Sequence, residues 1–341
     1  MTVREGIAAL LEGRSLSEAE AAGAIGEIME GGATPAQIGA FLVLLRRKGE
    51  TVDELAGAAL AMREKVTRVR CEDRALLDTC GTGGDGCRTF NVSTAAGLVA
   101  AAAGCTVAKH GNRAISGGVG GADVLERLGV RIDVEPARSA ELLRQAGFAF
   151  LFAPLLHGAM RHAASPRREI GVRTIFNILG PLTNPAGARH HLLGVFDAGW
   201  LEPLARVLGR LGSVHALVVH GRDGLDEITI SGETDVAELR RGEVRRFSLE
   251  PESLGFERRP LQELQVTSAE ESAEQIRVVF AGASGAARDI VLLNAGAAIY
   301  AADRAPSIAA GIAMARDAID TGGAAATLAE VVRLSQAGGA A

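Results

Sequence analysis

The chain has 341 residues, 48% of them hydrophobic, with a formal net charge of −5 at pH 7, enough to bury one large core or two smaller ones. Lys and Arg are scattered rather than blocked and aromatics make up only 4%, which excludes a broad nucleic-acid or membrane footprint and the stacking platforms of single-strand binders. The four cysteines, Cys71, Cys80, Cys87 and Cys105, have neither a C-x-x-C nor a metal-ligand spacing, so reduced, mostly buried thiols are expected.

The first residues lack the basic stretch and apolar run of a secretory signal, and no 18 apolar residues occur together; a cytoplasmic protein is expected. From residue 3 to about 69 the apolar spacing is helical, with Ser17-Glu18-Ala19-Glu20 marking a helix start. Four short amphipathic helices make a small domain, residues 1–70, with little core of its own. Its stripe Ile38-Phe41-Leu42-Leu45 suits an internal core or a second subunit.

After Arg70 the rhythm becomes strand then helix, repeated. Strands are predicted at 75–77, 105–108, 149–152, 192–196, 216–219, 227–230 and 243–247, with helices at 95–103, 122–128, 139–146 and 201–211 between most of them. Such alternation builds a mainly parallel sheet with right-handed crossovers, whose ligands gather at the carboxyl ends of the strands. Between 161 and 189 the alternation stops, and this helical excursion is predicted to rejoin the N-terminal helices. A large α/β domain would then comprise 71–160 and 190–341, closing with alanine-rich helices at 286–301, 307–319 and 324–334.

The first strand opens into Asp78-Thr79-Cys80-Gly81-Thr82-Gly83-Gly84-Asp85-Gly86, followed by Thr89-Phe90-Asn91-Val92-Ser93-Thr94 and an alanine helix. Glycines that take φ > 0 leave successive N–H groups facing one concavity, and Ser93 or Thr94 as N-cap would aim the positive helix end at the same place. That is a phosphate cradle. Gly81, Gly83 and Gly86 also spell G-x-G-x-x-G, but five residues intervene before the helix and no acidic residue follows the next strand as a dinucleotide fold requires.

The second strand ends in Lys109-His110-Gly111-Asn112-Arg113-Ala114-Ile115-Ser116-Gly117, with Gly121 opening the next helix. Four donor-bearing side chains before a second glycine loop make a second cradle facing the first, fit for a ligand with phosphate at both ends. Adjacent carboxylates at Asp226-Glu227 suit hard Mg²⁺. Neighbours on a regular strand point to opposite faces, so joint use requires irregular backbone or two ions.

These stretches, with Arg173-Thr174-Ile175-Phe176-Asn177-Ile178-Leu179-Gly180-Pro181-Leu182-Thr183-Asn184-Pro185 and Gly224-Leu225-Asp226-Glu227, closely resemble the anthranilate phosphoribosyltransferase family, in the same order and over essentially the whole chain. The resemblance implies a small N-terminal helical domain plus a large α/β domain with a mainly parallel central sheet, of the nucleoside phosphorylase/phosphoribosyltransferase type. It implies a homodimer formed through the helical domain, while the scattered charge and few aromatics argue against a nucleic-acid or membrane partner. The reaction implied joins anthranilate to 5-phosphoribosyl pyrophosphate, releasing pyrophosphate, in tryptophan biosynthesis.

By that resemblance the donor lies on Gly81, Gly84, Asp85, Thr89, Asn91, Val92, Ser93 and Thr94, with Lys109, His110, Gly111, Asn112, Arg113, Ala114, Ile115, Ser116, Gly117 and Gly121 completing its pocket. Mg²⁺ would be held by Ser93, Asp226 and Glu227. Anthranilate would contact Gly81, Asn112, His157 and Arg167. No acid–base residue is implied; Lys109, Asn112 and Arg167 would act by position and charge. Where the family carries a serine-rich segment after the basic motif, this chain reads Ser116-Gly117-Gly118-Val119-Gly120-Gly121, so main-chain N–H groups would replace lost hydroxyls. A nucleoside phosphorylase on a similar scaffold would need neither the carboxylate pair nor Arg167, and a silent nucleic-acid binder would need a basic face.

Overall fold

Four helices open the chain, and each begins with the same side-chain device. In α1 (Val3–Leu11), α2 (Glu18–Glu30), α3 (Pro35–Lys48) and α4 (Val52–Lys65), a Thr or Ser N-cap accepts from the third helical N–H, while the Glu or Gln there reaches back to the cap. Each such box satisfies two otherwise orphaned donors and contributes about 1 kcal/mol. The computed structural model describes residues 1–73, 75–114 and 119–337. Ile38, Phe41, Leu42 and Leu45 are all buried within the chain itself, so the α3 stripe is internal core.

The sheet follows, with β1 (Leu77–Asp78), α5 (Val92–Ala102), β2 (Val107–Gly111), α6 (Gly121–Arg127), α7 (Pro136–Ala146) and β3 (Phe148–Phe152) in succession. An excursion of short helices, α8 (Ala153–Leu156), α9 (Arg161–Ile170) and α10 (Phe176–Leu179), precedes β4 (His190–Gly194), α11 (Leu201–Arg210) and β5 (His215–Gly221). A hairpin, β6 (Thr234–Arg240) and β7 (Glu243–Leu249), and four helices, α12 (Ala269–Phe280), α13 (Ala286–Ala301), α14 (Ile308–Asp320) and α15 (Gly323–Gln336), complete the chain.

The strand order is β3-β2-β1-β4-β5-β6-β7, parallel from β3 through β5 and antiparallel beyond. The order reverses between β1 and β4, the place where an open α/β sheet leaves a crevice at its strand ends.

Departures from the predicted elements have local causes. Residues 227–230 form no strand, because Ile228 donates to the Asn294 side chain and Thr229 to Thr234 Oγ1 instead of to a neighbouring strand. Strand β6 lies outside the predicted set; it buries Glu238 along with Val236 and Ala237, which breaks the apolar alternation. Helix α12 is likewise additional, although Ser268 caps it by accepting from the Glu271 N–H.

Alternation along the central strands splits the interior. Leu192, Leu217 and Val219 pack with α5 and α13, whereas Leu193, Val195, Ala216 and Val218 pack with α11 and the apolar faces of α1 to α4. The excursion joins that second core through Ala163, Phe176, Ile178 and Leu179. Arg63 of α4 fastens it further, donating to the carbonyls of Leu182 (2.7 Å) and Leu211 (2.9 Å).

Candidate active site

The loop leaving β1 is drawn across the sheet reversal by its neighbours. The Thr82 N–H donates to the Gly194 carbonyl at the end of β4 (2.8 Å), and the Gly83 N–H donates to Asp226 Oδ2 (2.7 Å). Gly83, Gly84 and Gly86 take φ of 65°, 77° and 78°, a conformation only glycine adopts cheaply. Gly81 is different. Its φ is ordinary, and what it supplies is room, since a Cβ there would stand 3.0 Å from Asp226 Oδ2. Among the described residues, none accepts from the N–H groups of Gly84, Asp85 or Gly86, which leaves the concavity lined with unused donors.

Beyond the loop, Thr89 bridges to Gln265, and α5 is capped by Asn91 rather than by Ser93 or Thr94. Asn91 Oδ1 accepts from the Thr94 N–H (3.1 Å), which places Val92, Ser93 and Thr94 inside the first turn. Asn91 Nδ2 donates to the Val119 carbonyl (3.2 Å), tying the first loop to the second.

The basic motif divides its side chains between two faces. Lys109 is buried and donates to the Thr79 carbonyl (2.9 Å) and to Ser93 Oγ (3.0 Å). His110 turns to the opposite face, where its Nδ1 meets the Gly180 carbonyl (2.9 Å). Arg113 is committed to the fork of Glu126 (2.5 and 2.7 Å) and to Asp123 (3.0 Å), so the structure does not aim it at the first loop. Asn112 Oδ1 accepts from the Arg113 N–H (2.7 Å), and the Ala114 N–H goes to Asp123 (3.1 Å). Gly111 packs against Phe150, and Gly121 faces Thr94 and Lys109. Ile115, Ser116 and Gly117 lie outside the described residues.

Asp226 and Glu227 sit in the irregular segment after β5, which allows adjacent carboxyls to turn the same way. The segment passes so near β4 that a Cβ on Gly194 would come within 1.5 Å of the Asp226 carbonyl. Burial pushes the Asp226 carboxyl well above its usual range, and the neighbouring Asp85 pushes it further. Glu227 is raised by burial and by Asp226, with Lys109 and the Ser93 main chain pulling weakly the other way. Among the described residues no three His, Cys, Asp or Glu side chains form a finished metal shell. Crowded carboxylates without a matching cation, beside the Ser93 hydroxyl, nonetheless fit a hard divalent ion that keeps most of its waters.

Arg167 lies on α9 with its guanidinium 5.2 Å from the centre of the Phe176 ring, and burial lowers its pKa. His157 follows α8, is buried, and stands 5.0 Å from the His110 ring. Burial holds His110 and His157 neutral, down to about 3 and about 4. Sequence reasoning missed Asp78, whose carboxyl takes the His110 N–H (3.1 Å) and the Asn184 amide (2.7 Å). It also missed Gly194, Phe196 and the side chain of Arg173. A glycine closing a predicted strand was the available signal for Gly194. Cys80 and Cys87 flank the loop, but burial raises both thiols, Cys87 to about 12, so neither serves as a nucleophile.

Comparison with known proteins identifies the family. Residues 4–66 match the helical bundle domain of a glycosyl transferase family and residues 73–325 match its a/b domain. An anthranilate phosphoribosyltransferase of Thioalkalivibrio sulfidiphilus is 57% identical over 332 residues, covering 97% of this chain and 98% of that protein. The chain belongs to the anthranilate phosphoribosyltransferases. A crystal structure of the enzyme from Thermus thermophilus superposes with a TM-score of 0.93 at 45% identity, covering 97% of this chain and 99% of that one. The Saccharomyces cerevisiae enzyme, solved in complex with PRPP and Mg, gives a TM-score of 0.88 at 27% identity, covering 98% of each chain. The protein is thus an enzyme of the glycosyl transferase family that transfers a phosphoribosyl group to anthranilate in tryptophan biosynthesis, the function expected from its motifs and carried by its anthranilate phosphoribosyltransferase relatives.

Proposed function

We propose that the crevice between β1 and β4 binds 5-phosphoribosyl pyrophosphate and Mg²⁺, and that the excursion carries the anthranilate to it. The observation that carries this reading is the pairing of unused N–H groups at Gly84, Asp85 and Gly86 with an unneutralised carboxylate pair at Asp226 and Glu227. A diphosphate needs the first and its metal needs the second. Breaking the bond from C1 of the ribose to the diphosphate leaves negative charge on the departing oxygens, so preorganised donors contribute more than a strong base would.

The donor site comprises the glycine loop with Gly81, Thr89 and the first turn of α5, and the stretch from Lys109 to Gly117 with Gly121. Lys109 acts here chiefly by charge, since its ammonium is already held by Thr79 and Ser93. Arg113 contributes only after leaving Glu126. Mg²⁺, on Ser93, Asp226 and Glu227, would neutralise diphosphate oxygens. Arg167 grips the anthranilate carboxylate, with Gly81, Asn112 and His157 around the ring. Its position over Phe176, in a desolvated setting, strengthens a forked contact to a carboxylate. The neutral amine attacks C1 as the C1–O bond breaks, and the new nitrogen then loses one proton; positioning alone contributes on the order of 7 kcal/mol or more.

The two lobes, 1–70 with 161–189 and the remainder, hinge about this crevice in our reading. A homodimer through the helical lobe is supported by Leu11 and Val43, 69% and 43% exposed on α1 and α3. Free thiols at Cys71, Cys80, Cys87 and Cys105 suit the reducing cytoplasm. No helix among the described residues is long and apolar enough to cross a membrane. Mixing the protein with anthranilate, 5-phosphoribosyl pyrophosphate and Mg²⁺ tests the reaction. Anthranilate fluorescence falls if the reading holds, and constant fluorescence overturns it.

A further inference from the structure

Arg173 connects the excursion to the glycine loop. It follows Gly171, which ends α9 at φ 68°, and its Nη2 donates to the main-chain carbonyl of Gly84. The guanidinium stands 4.0 Å from the centre of the Phe196 ring, within the range of a favourable cation–π contact. The Phe196 N–H in turn donates to Thr82 Oγ1 (3.2 Å). Thr82 and Gly84 are thereby both fastened to the segment just after β4, the first directly and the second through Arg173. No carboxylate among the described residues pairs with Arg173.

The orientation of one peptide unit depends on this contact. In a trans peptide the C=O and N–H point in opposite directions. Drawing the Gly84 carbonyl to Arg173 turns the Asp85 N–H to the other side of the loop. Gly84, the residue on the N-terminal side of the unit between Gly84 and Asp85, has positive φ and no Cβ to oppose its rotation, so on that side sterics leave the orientation open. Gly84 also leaves the guanidinium its place, since a Cβ there would stand 2.5 Å from Arg173 Nη2.

We propose that Arg173, braced by Phe196, is a positioning residue that locks the peptide between Gly84 and Asp85 so that the Asp85 N–H faces the diphosphate of the donor. This rests on the donor site described above and deepens it. Arg173 acts through main chain, and the donor's affinity depends on a side chain that need not touch it.

The test compares Arg173→Ala, Arg173→Lys, Phe196→Leu and the double variant Arg173→Ala/Phe196→Leu with the unaltered enzyme. The readouts are KM for each substrate, the Kd for inorganic pyrophosphate with Mg²⁺, and the melting temperature. Turnover by the unaltered enzyme tests the functional reading separately. Loss of one charge-assisted hydrogen bond predicts that Arg173→Ala raises the donor KM and the pyrophosphate Kd about tenfold. The anthranilate KM and the melting temperature stay unchanged. Arg173→Lys, which keeps a donor of similar reach, recovers part of the loss. Phe196→Leu shifts the donor KM in the same direction with the charge intact, and the double variant loses no more than Arg173→Ala alone. An unchanged donor KM in Arg173→Ala overturns the proposal. So does an unaltered donor KM in Phe196→Leu beside a raised one in Arg173→Ala, because Arg173 would then act as a simple cation.

Discussion

Two carboxylate clusters lie towards opposite ends of β5, and their electrostatics run in opposite directions. At the start of the strand, the buried Glu238 takes His215 Nε2 (3.0 Å) and the Tyr300 hydroxyl (2.7 Å) on one oxygen and Arg245 on the other. Burial alone would raise its pKa, yet these three donors bring it down to about 2. Past the end of the strand, Asp226 receives one main-chain N–H from Gly83, while Lys109 is spent on Thr79 and Ser93. There burial and like charge win, and Asp226 and Glu227 are raised. A cluster whose donors match its acceptors is complete as structure. One held short of positive charge has a place for a ligand.

The sharpest way to break this contrast is to neutralise each cluster in turn. Asp226→Asn with Glu227→Gln is expected to lower Mg²⁺-dependent turnover by about a thousandfold, the scale of removing a dedicated electrostatic stabiliser, while the melting temperature holds or rises. Steady-state rates across a Mg²⁺ titration, with a thermal melt, check both halves. Glu238→Gln should do the reverse. Replacing the charge that His215, Tyr300 and Arg245 donate to by a neutral acceptor costs about 2 kcal/mol of stability, read by urea unfolding, with kcat/KM unchanged for the folded fraction.

Within the functional cluster's surroundings, Arg167→Ala is expected to raise KM for anthranilate by about 2 kcal/mol of lost binding, roughly thirtyfold, and to leave KM for the donor alone. Equal changes in both would remove Arg167 from the acceptor site.

Acid sharpens the comparison further. Glu238 stays ionised until pH falls through about 2, so its cluster is not the first to fail. His110, His157 and His191 are held neutral by burial, near 3, 4 and 3. The unfolded chain takes up their protons below about pH 6.5 while the folded one does not. Their contribution is complete above that pH and is lost as pH falls toward the folded values, at about 1.4 kcal/mol per histidine per pH unit. Urea midpoints measured from pH 7 to pH 5 should fall accordingly. The smallest expected effect is a rise of a few degrees in melting temperature with millimolar Mg²⁺, of the size mass action allows. It should be larger at pH 8 than at pH 6, because the raised carboxyls must lose protons to bind the ion.

The chain's motifs were legible because their chemistry is local. Glycines at 83, 84 and 86 announce a main-chain concavity whatever surrounds them, and Ser17 with Glu20 announces a helix start. Donor-bearing residues in sequence were less informative. Lys109, His110 and Arg113 count as donors along the chain, but in space they serve Thr79, Gly180 and Glu126. Likewise 227–230 has strand composition, yet its hydrogen bonds go to Asn294 and Thr234.

What the amino-acid order determined by itself was therefore the alternation of strand and helix, helix starts such as that at Ser17, and the first glycine turn, all set by torsional preference and spacing within a few residues. Tertiary structure alone decided that Gly194 must clear the Asp226 carbonyl, that Arg173 reaches Gly84, and that one carboxylate cluster is neutralised while the other is not. Those outcomes join residues far apart in the chain, and the energy of a charge or a donor depends on which partner the fold brings within reach.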